Sequence, residues 1–424
     1  MKLMLLLLVA LLGSLMVSAV CLPIVFDDCG VKNAASEEKF FFGVSFGGNT
    51  TSEAKLLINR VKEYTNLFVI NSWGISGGVN ETALNEICDY AVSNGLNLMV
   101  YFNFIFYNYT TQLGNFYNST SWELFGVTPW HMSWLNIARE RWGNKFLGIY
   151  LYDEPGGKQI DEGYWYGRAG ISAHTGRRVT TFANVSGYSD AAYRYVRSIS
   201  RSGSMQHLIN SSIPNSINSP MPVFTSDYAL YWFDYLAGYD AIFAEFGWNY
   251  SRTQQIALCR GAAKVQNKQW GAIITWTYRN PPYLESGTDM LKDMMTAYRA
   301  GANYLIVFNY PKIKDNPYGI LTEEHFAAME RFWNEIHSFP RSVFGEIEGQ
   351  VAFVLPKDYG WGMRNPSDKI WGFWPPDDLS PLIWDKMSRL IERYGLKLDI
   401  IYDDPRFNFK EKYSKIHFWN STIN

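Results

Sequence analysis

The chain has 424 residues, 47% of them hydrophobic, enough for one large domain with a smaller one beside it. A net charge of -2 excludes the basic footprint of a nucleic-acid or anionic-membrane binder. Six histidines with no HxH or HExxH spacing argue against a metal site, and no cofactor is expected.

The first residues read as an export signal. Lys2 precedes the apolar run Leu3 to Val17, and Val17-Ser18-Ala19 suits cleavage after Ala19. A retained membrane anchor is the alternative for 1–19, because no further charge appears before Asp27. Residues 20–39 then form a linker, and the body is expected to be secreted or held at the cell surface. Asn-x-Ser/Thr sequons at Asn49, Asn80, Asn108, Asn118, Asn184, Asn210, Asn249 and Asn420 agree with a glycosylated exterior. Cys21 and Cys29 are close enough to form a small disulfide loop there. Cys88 and Cys259 fall in apolar helical patterns and are expected to be buried thiols.

Over residues 40–340 strand and helix patterns alternate. The strands are expected at Phe41–Phe46, Leu67–Ser72, Leu96–Phe102, Phe146–Tyr152, Pro222–Ser226, Ala241–Phe246, Trp270–Trp276 and Tyr304–Asn309. Each is a short, mostly continuous apolar run, as strands buried on both faces should be. Helices with 3.6 periodicity lie between them, for example Ser52–Tyr64, Glu81–Asn94 and Arg252–Asn267. Eight βα units in this length predict a (β/α)8 TIM barrel. The polar passage between Glu154 and Pro222, with one helix at Ala191–Ser200, reads as an insertion above the barrel. Residues 341–424 change texture. Strands at Gln350–Pro356 and Leu398–Tyr402 flank a helix at Leu382–Tyr394, and Lys415–Trp419 offers a third strand. This is a small βαβ, flavodoxin-like α/β domain, expected to pack against the barrel, with a direct role in the site as the alternative.

Barrel chemistry sits at the carboxyl ends of the strands. Strand four ends in Tyr152-Asp153-Glu154-Pro155 and strand six in Glu245-Phe246-Gly247-Trp248. Glu154 and Glu245 each follow an apolar strand, and neither is expected to be neutralised by a nearby lysine. Glycoside hydrolysis needs two carboxylates, one protonated and one ionised, and apolar surroundings raise the pKa of an acid. Glu154 and Glu245 are therefore the candidate catalytic pair, with Asp153 and Asp227 as alternative members. If strand four stays regular, Asp153 and Glu154 point to opposite sides. The alternative for Glu245 is a buried pair with Arg279, and for Asp227 a cap on the 228–239 segment. The aromatics number 16 Trp and 28 Tyr; they fill cores, and exposed ones stack on sugar faces. Trp73, Tyr101, Trp248, Trp276 and Tyr278 stand at strand ends as candidate sugar platforms. Asn71, Asn103, Asp153, Asp227 and Asn309 stand beside them as hydroxyl partners.

The strand-four Asp-Glu-Pro resembles the Asn-Glu-Pro of the clan of retaining barrel glycosidases. That resemblance implies an acid/base role for Glu154. The clan keeps its nucleophile at the end of strand seven, where this chain has Thr275-Trp276-Thr277-Tyr278 and no acid before Glu285. Groups similar to the α-galactosidases and α-glucosidases pair acids on strands four and six, with the strand-four acid as nucleophile. A barrel followed by a small α/β domain also resembles β-galactosidase-like enzymes. What these resemblances imply is an exported glycoside hydrolase acting on an oligo- or polysaccharide. The alternative is a non-catalytic carbohydrate-binding or cell-envelope barrel.

Overall fold

Eight short parallel strands close on themselves in the order β1-β8-β7-β6-β5-β4-β3-β2. They are β1 (Phe41–Phe46), β2 (Leu67–Ile70), β3 (Asn97–Phe102), β4 (Phe146–Leu151), β5 (Val223–Asp227), β6 (Ala241–Phe246), β7 (Gln269–Ile274) and β8 (Tyr304–Val307). The computed structural model describes residues 40–77, 80–102, 129–163, 170–171, 178–179, 185–200, 205 and 221–421. The apolar run, Cys21, Cys29, Asn103 and the sequons Asn108, Asn118, Asn184 and Asn210 lie outside the described residues. Among the described residues, no helix is long and apolar enough to cross a membrane.

Alternate strand residues face inward, and those side chains fill the barrel. Val69, Tyr101, Tyr150, Phe224, Phe243 and Tyr304 belong to this inner core. Its aromatic rings pack edge to face, with Phe224 and Tyr304 centroids 5.3 Å apart and Tyr101 and Tyr150 5.1 Å apart. Tyr101, expected as a sugar platform, therefore belongs to this floor. The opposite parity faces the helices and joins a second, larger core.

The outer helices begin where polar side chains satisfy the free amides of the first turn. Helix α1 (Thr51–Val61) starts at a capping box of Thr50 and Glu53, and α2 (Glu81–Ser93) starts at Asn80. Helix α3 (Pro129–Trp142) precedes β4. Between β4 and β5 lie α4 (Pro155–Glu162) and α5 (Tyr188–Ser200). Helices α6 (Tyr231–Ala237), α7 (Arg252–Gln266), α8 (Gly287–Arg299) and α9 (Glu323–Ser338) complete the ring. Helix α4 is unexpected from its sequence, because Pro155-Gly156-Gly157 reads as a turn. The glycines are required by close approach. A Cβ on Gly156 would fall 2.4 Å from the Ala229 carbonyl oxygen. Cys88 and Cys259 are buried free thiols, as expected.

The C-terminal residues form a second sheet in the parallel order β10-β9-β11, from β9 (Val351–Leu355), β10 (Leu398–Tyr402) and β11 (Lys415–Phe418). Helix α10 (Leu379–Tyr394) crosses between the first two. This sheet shares the outer hydrophobic core of the barrel. Arg260 of α7 fastens the two together. Its Nε donates to Asp399 Oδ1 at 2.8 Å, and its remaining nitrogens reach the carbonyls of Ala300, Ile347, Leu396 and Leu398. Tyr413 donates to the other Asp399 oxygen at 3.0 Å. Removing the guanidinium strands a fully buried carboxylate. Arg260→Ala is expected to cost about 3–5 kcal/mol of unfolding free energy, measured by urea denaturation. A loss below about 1 kcal/mol, the range of surface pairs, would contradict this role.

Candidate active site

The site begins with the parity of β6. Ala241 and Phe243 face the inner core, so Glu245, two residues on, faces the same way at the barrel mouth. Its side chain is nearly buried, at 4% exposure. On β5 the same rule carries Phe224 to Ser226, and the Ser226 hydroxyl donates to Glu245 Oε1 at 2.7 Å. Arg279, a possible partner for Glu245, is exposed. No described cation forms an ion pair with Glu245.

Strand β4 reaches the same place by a different route. Its register with β3 shifts between Leu98 and Met99, opposite Phe146 and Gly148. Gly148 takes φ 147°, and a Cβ there would fall 2.3 Å from the Pro222 carbonyl oxygen. This bulge turns Tyr150 inward. The Tyr150 hydroxyl lies 2.6 Å from Ser226 Oγ and 2.9 Å from Asp153 Oδ1, and it accepts the Ser226 N–H at 3.0 Å. A hydrogen-bonded chain thus links Asp153, Tyr150, Ser226 and Glu245.

Beyond Leu151 the backbone leaves the strand. Tyr152 and Glu154 both adopt left-handed conformations, with φ 55° and 53°. Such strain in non-glycine residues persists only where surroundings enforce it. Three consecutive β5 residues do so. Thr225 Oγ1 donates to the Tyr152 carbonyl at 2.6 Å, the Ser226 carbonyl accepts Glu154 N–H at 3.1 Å, and Asp227 takes the first amides of α4. Asp227 accepts from Gly156, Gly157, Tyr228 and Ala229 N–H at 2.5–3.1 Å. It is fully buried and points to the helix side, so it braces the turn and does not meet substrate. Burial pushes its carboxyl up to about 6 against the pull of those amides.

The irregular turn also corrects the expectation that Asp153 and Glu154 diverge. Lys158, one helical turn on, lies 3.4 Å from Asp153 and 3.7 Å from Glu154. Glu154 therefore has a lysine close by, contrary to the sequence reading, and shares it with Asp153. Even so, burial and then the Asp153 charge push Glu154 up to about 8, with Lys158 pulling the other way. The Glu154 side chain keeps 30% exposure. Burial, and next the Glu154 charge, hold Glu245 well above the usual carboxylate range.

The remaining candidates divide. Trp73, Trp248 and Tyr278 are 41%, 37% and 48% exposed at the ends of β2, β6 and β7. Trp248 is in the left-handed region, its N–H donating to the Trp276 carbonyl at 2.8 Å. Trp276 is half-buried against Tyr283 and Phe308. Asn71 is half-buried. Asn309 is buried, and its Oδ1 accepts Ile320 N–H at 3.0 Å, so this oxygen braces a loop. Glu285 is likewise structural, with Oε2 3.1 Å from Arg252 Nη2. Strand β7 supplies Thr275 at the mouth and no acid. Sequence reasoning missed Tyr150, Ser226 and Lys158. Inward parity from Phe224 could have found Ser226; the Gly148 bulge hides Tyr150 from any such rule. Among the described residues, no cluster of His, Cys, Asp and Glu could hold a metal ion.

Barrel and second sheet define a (β/α)8 barrel with a small C-terminal α/β domain. No family model and no curated protein sequence matches the chain. Solved structures share its fold. GH5_18 from Streptomyces cattleya in complex with GlcNAc superposes with TM-score 0.54 at 12% identity, covering 90% of this chain and 99% of that one. A polyextremophilic β-galactosidase from the Antarctic haloarchaeon Halorubrum lacusprofundi gives TM-score 0.57 at 11% identity, covering 89% and 69%. A β-galactosidase from the psychrophilic Marinomonas ef1 gives 0.54 at 10%, covering 89% and 72%.

The raised Glu154 carboxyl has a signed consequence for stability. Its folded pKa, about 8, exceeds the unfolded value near 4.5, so the folded state binds more protons between them. This group's contribution is present at low pH and is lost as pH rises from about 4.5 to about 8. Glu154→Gln is expected to flatten that decline in denaturant titrations at stepped pH. Identical slopes in the two proteins would show that Glu154 is ionised throughout.

Proposed function

We propose that the protein is a glycoside hydrolase that cleaves an oligo- or polysaccharide with Glu154 as general acid/base and Glu245 as nucleophile or second carboxylate. The observation that supports this most is the pair itself. Two carboxylates stand at the carboxyl ends of β4 and β6 of a closed barrel, Glu154 partly exposed and Glu245 buried with no described cation paired to it. A protonated Glu154 at neutral pH can deliver its proton to the glycosidic oxygen as that bond breaks. The reaction needs one of the two raised carboxyls ionised, and the Ser226 hydrogen bond, which pulls Glu245 down against its burial, favours Glu245 as the member that would face the developing oxocarbenium carbon. Trp73, Trp248 and Tyr278 would stack on the sugar rings, with Trp276, Asn71 and Asp153 lining the cleft. Structural neighbours hold GlcNAc and Manb1-4GlcNAc, which makes oligosaccharides of this kind the first substrates to try.

We also place the chain outside the cytoplasm. The apolar run Leu3 to Val17 supports export, and the sequon residues Asn49, Asn80, Asn249 and Asn420 are exposed. A second reading, a non-catalytic carbohydrate-binding barrel, is favoured by one observation: β7 ends in Thr275 where an acid would complete the familiar retaining arrangement.

A screen of sugars released from a polysaccharide panel separates the two. Glu154→Gln and Glu245→Gln are each expected to lower kcat/KM by roughly 10²–10⁴-fold while oligosaccharide binding persists. Activity should fall as pH rises through about 8, as Glu154 loses its proton. Wild-type binding without release, or full turnover by either variant, would overturn the hydrolase assignment.

A further inference from the structure

Glu154 opens α4, and the far end of that helix is gripped by residues 357–378 of the C-terminal domain. Arg364 places Nη2 2.7 Å from Asp161 Oδ1 and Nε 2.8 Å from Asp368 Oδ2. Asp161 also accepts the Tyr228 hydroxyl at 2.8 Å. The Tyr228 ring rests on the first turn of α4, where a Cβ on Gly157 would fall 2.1 Å from its Cζ. Arg364 lies 5.4 Å from the Tyr228 ring centroid, and Tyr250 stacks on Tyr228 at 6.1 Å. Next to this, Gln159 Nε2 donates to the Trp371 carbonyl at 2.8 Å. A Cβ on Gly372 would fall 2.0 Å from the Gln159 carbonyl oxygen.

We propose that Arg364, in the C-terminal domain, is a positioning residue for Glu154, acting through Asp161 and Tyr228. The inference rests on the hydrolase reading above and extends it: the C-terminal domain is part of the catalytic apparatus. Asp161 sits at the exposed edge of α4, and the planar guanidinium binds it and Asp368 together. Without Arg364, Asp161 can turn to solvent and Tyr228 loses its acceptor. The ring then no longer fixes the turn that carries Glu154. Displacements near 1 Å at a proton donor can cost about 10²-fold in rate.

The test uses the full chain with Arg364→Met, Arg364→Lys, Tyr228→Phe and the Arg364→Met/Tyr228→Phe double variant. Arg364→Met is expected to lower kcat by about 10–100-fold with KM nearly unchanged, and to move the alkaline limb of the pH profile. Tyr228→Phe, which keeps the ring, should share the loss. The double variant should be no worse than the poorer single variant, and Arg364→Lys should recover part of the rate. If all variants keep the wild-type kcat and pH profile and only Tm falls, Arg364 is a stability contact and the proposal is overturned. If the wild type hydrolyses no oligosaccharide, the hydrolase reading fails by itself. Positioning is then read from the Glu154-dependent loss of stability between about pH 5 and 8. Its reduction in Arg364→Met supports the proposal, and an unchanged loss overturns it.

Discussion

Asp227 is the constraint on which the site depends. Its carboxylate collects the amides of Gly156 and Gly157 from the start of α4 and those of Tyr228 and Ala229 beyond β5. Without a bridge of this kind, the amides of Gly156 and Gly157 would be buried donors with no acceptor, a costly state. With it, α4 must begin where it does, and Tyr152 and Glu154 are kept in conformations that an isolated chain would rarely visit. Thr225 and Ser226 complete the clamp from the same strand. One short segment of β5 thus sets the geometry of the turn after β4 and, through Ser226, touches the carboxylate on β6.

The electrostatics follow from that geometry. Burial and the charges around them hold the Glu154 and Glu245 carboxyls above the usual carboxylate range. A lysine one turn away moderates Glu154 without cancelling its shift. Glu245, with no ion pair among the described residues, accepts the Ser226 hydroxyl. Such an arrangement opposes stability, and the closed barrel with its aromatic floor supplies the rigidity that maintains it.

Much of this was legible in the sequence, and the failures have physical causes. The eight barrel strands declared themselves as apolar runs, because strands buried on both faces leave no room for polar residues. Strands β1 and β6 matched residue for residue. Strands β2 and β7 stop two residues earlier than their apolar runs suggest, since Asn71 and Thr275 already turn over the mouth. Glu245 stood out as an acid closing an apolar strand, and parity with Phe243 turns it inward. Asp227, one parity step from Ser226, was misread as a sugar contact because its amide partners come from a helix that two glycines disguise. Lys158 was overlooked for the same reason: helical spacing cannot be invoked where no helix is read. Asp153 and Glu154 were expected to diverge, and only the left-handed turn brings them toward the same lysine.

The bulge at Gly148 has a further meaning. A strand's length is normally a matter of span, and loops absorb most changes in it. Here one extra residue in β4 fixes the phase of everything downstream. Straighten the bulge, so that Leu147 and Gly148 alternate in the ordinary way, and Tyr150 rotates to the helix side while Ile149 enters the barrel. The hydroxyl bridge to Ser226 then disappears with no polar residue having been altered. In this wall of the barrel, counting residues is equivalent to choosing chemistry.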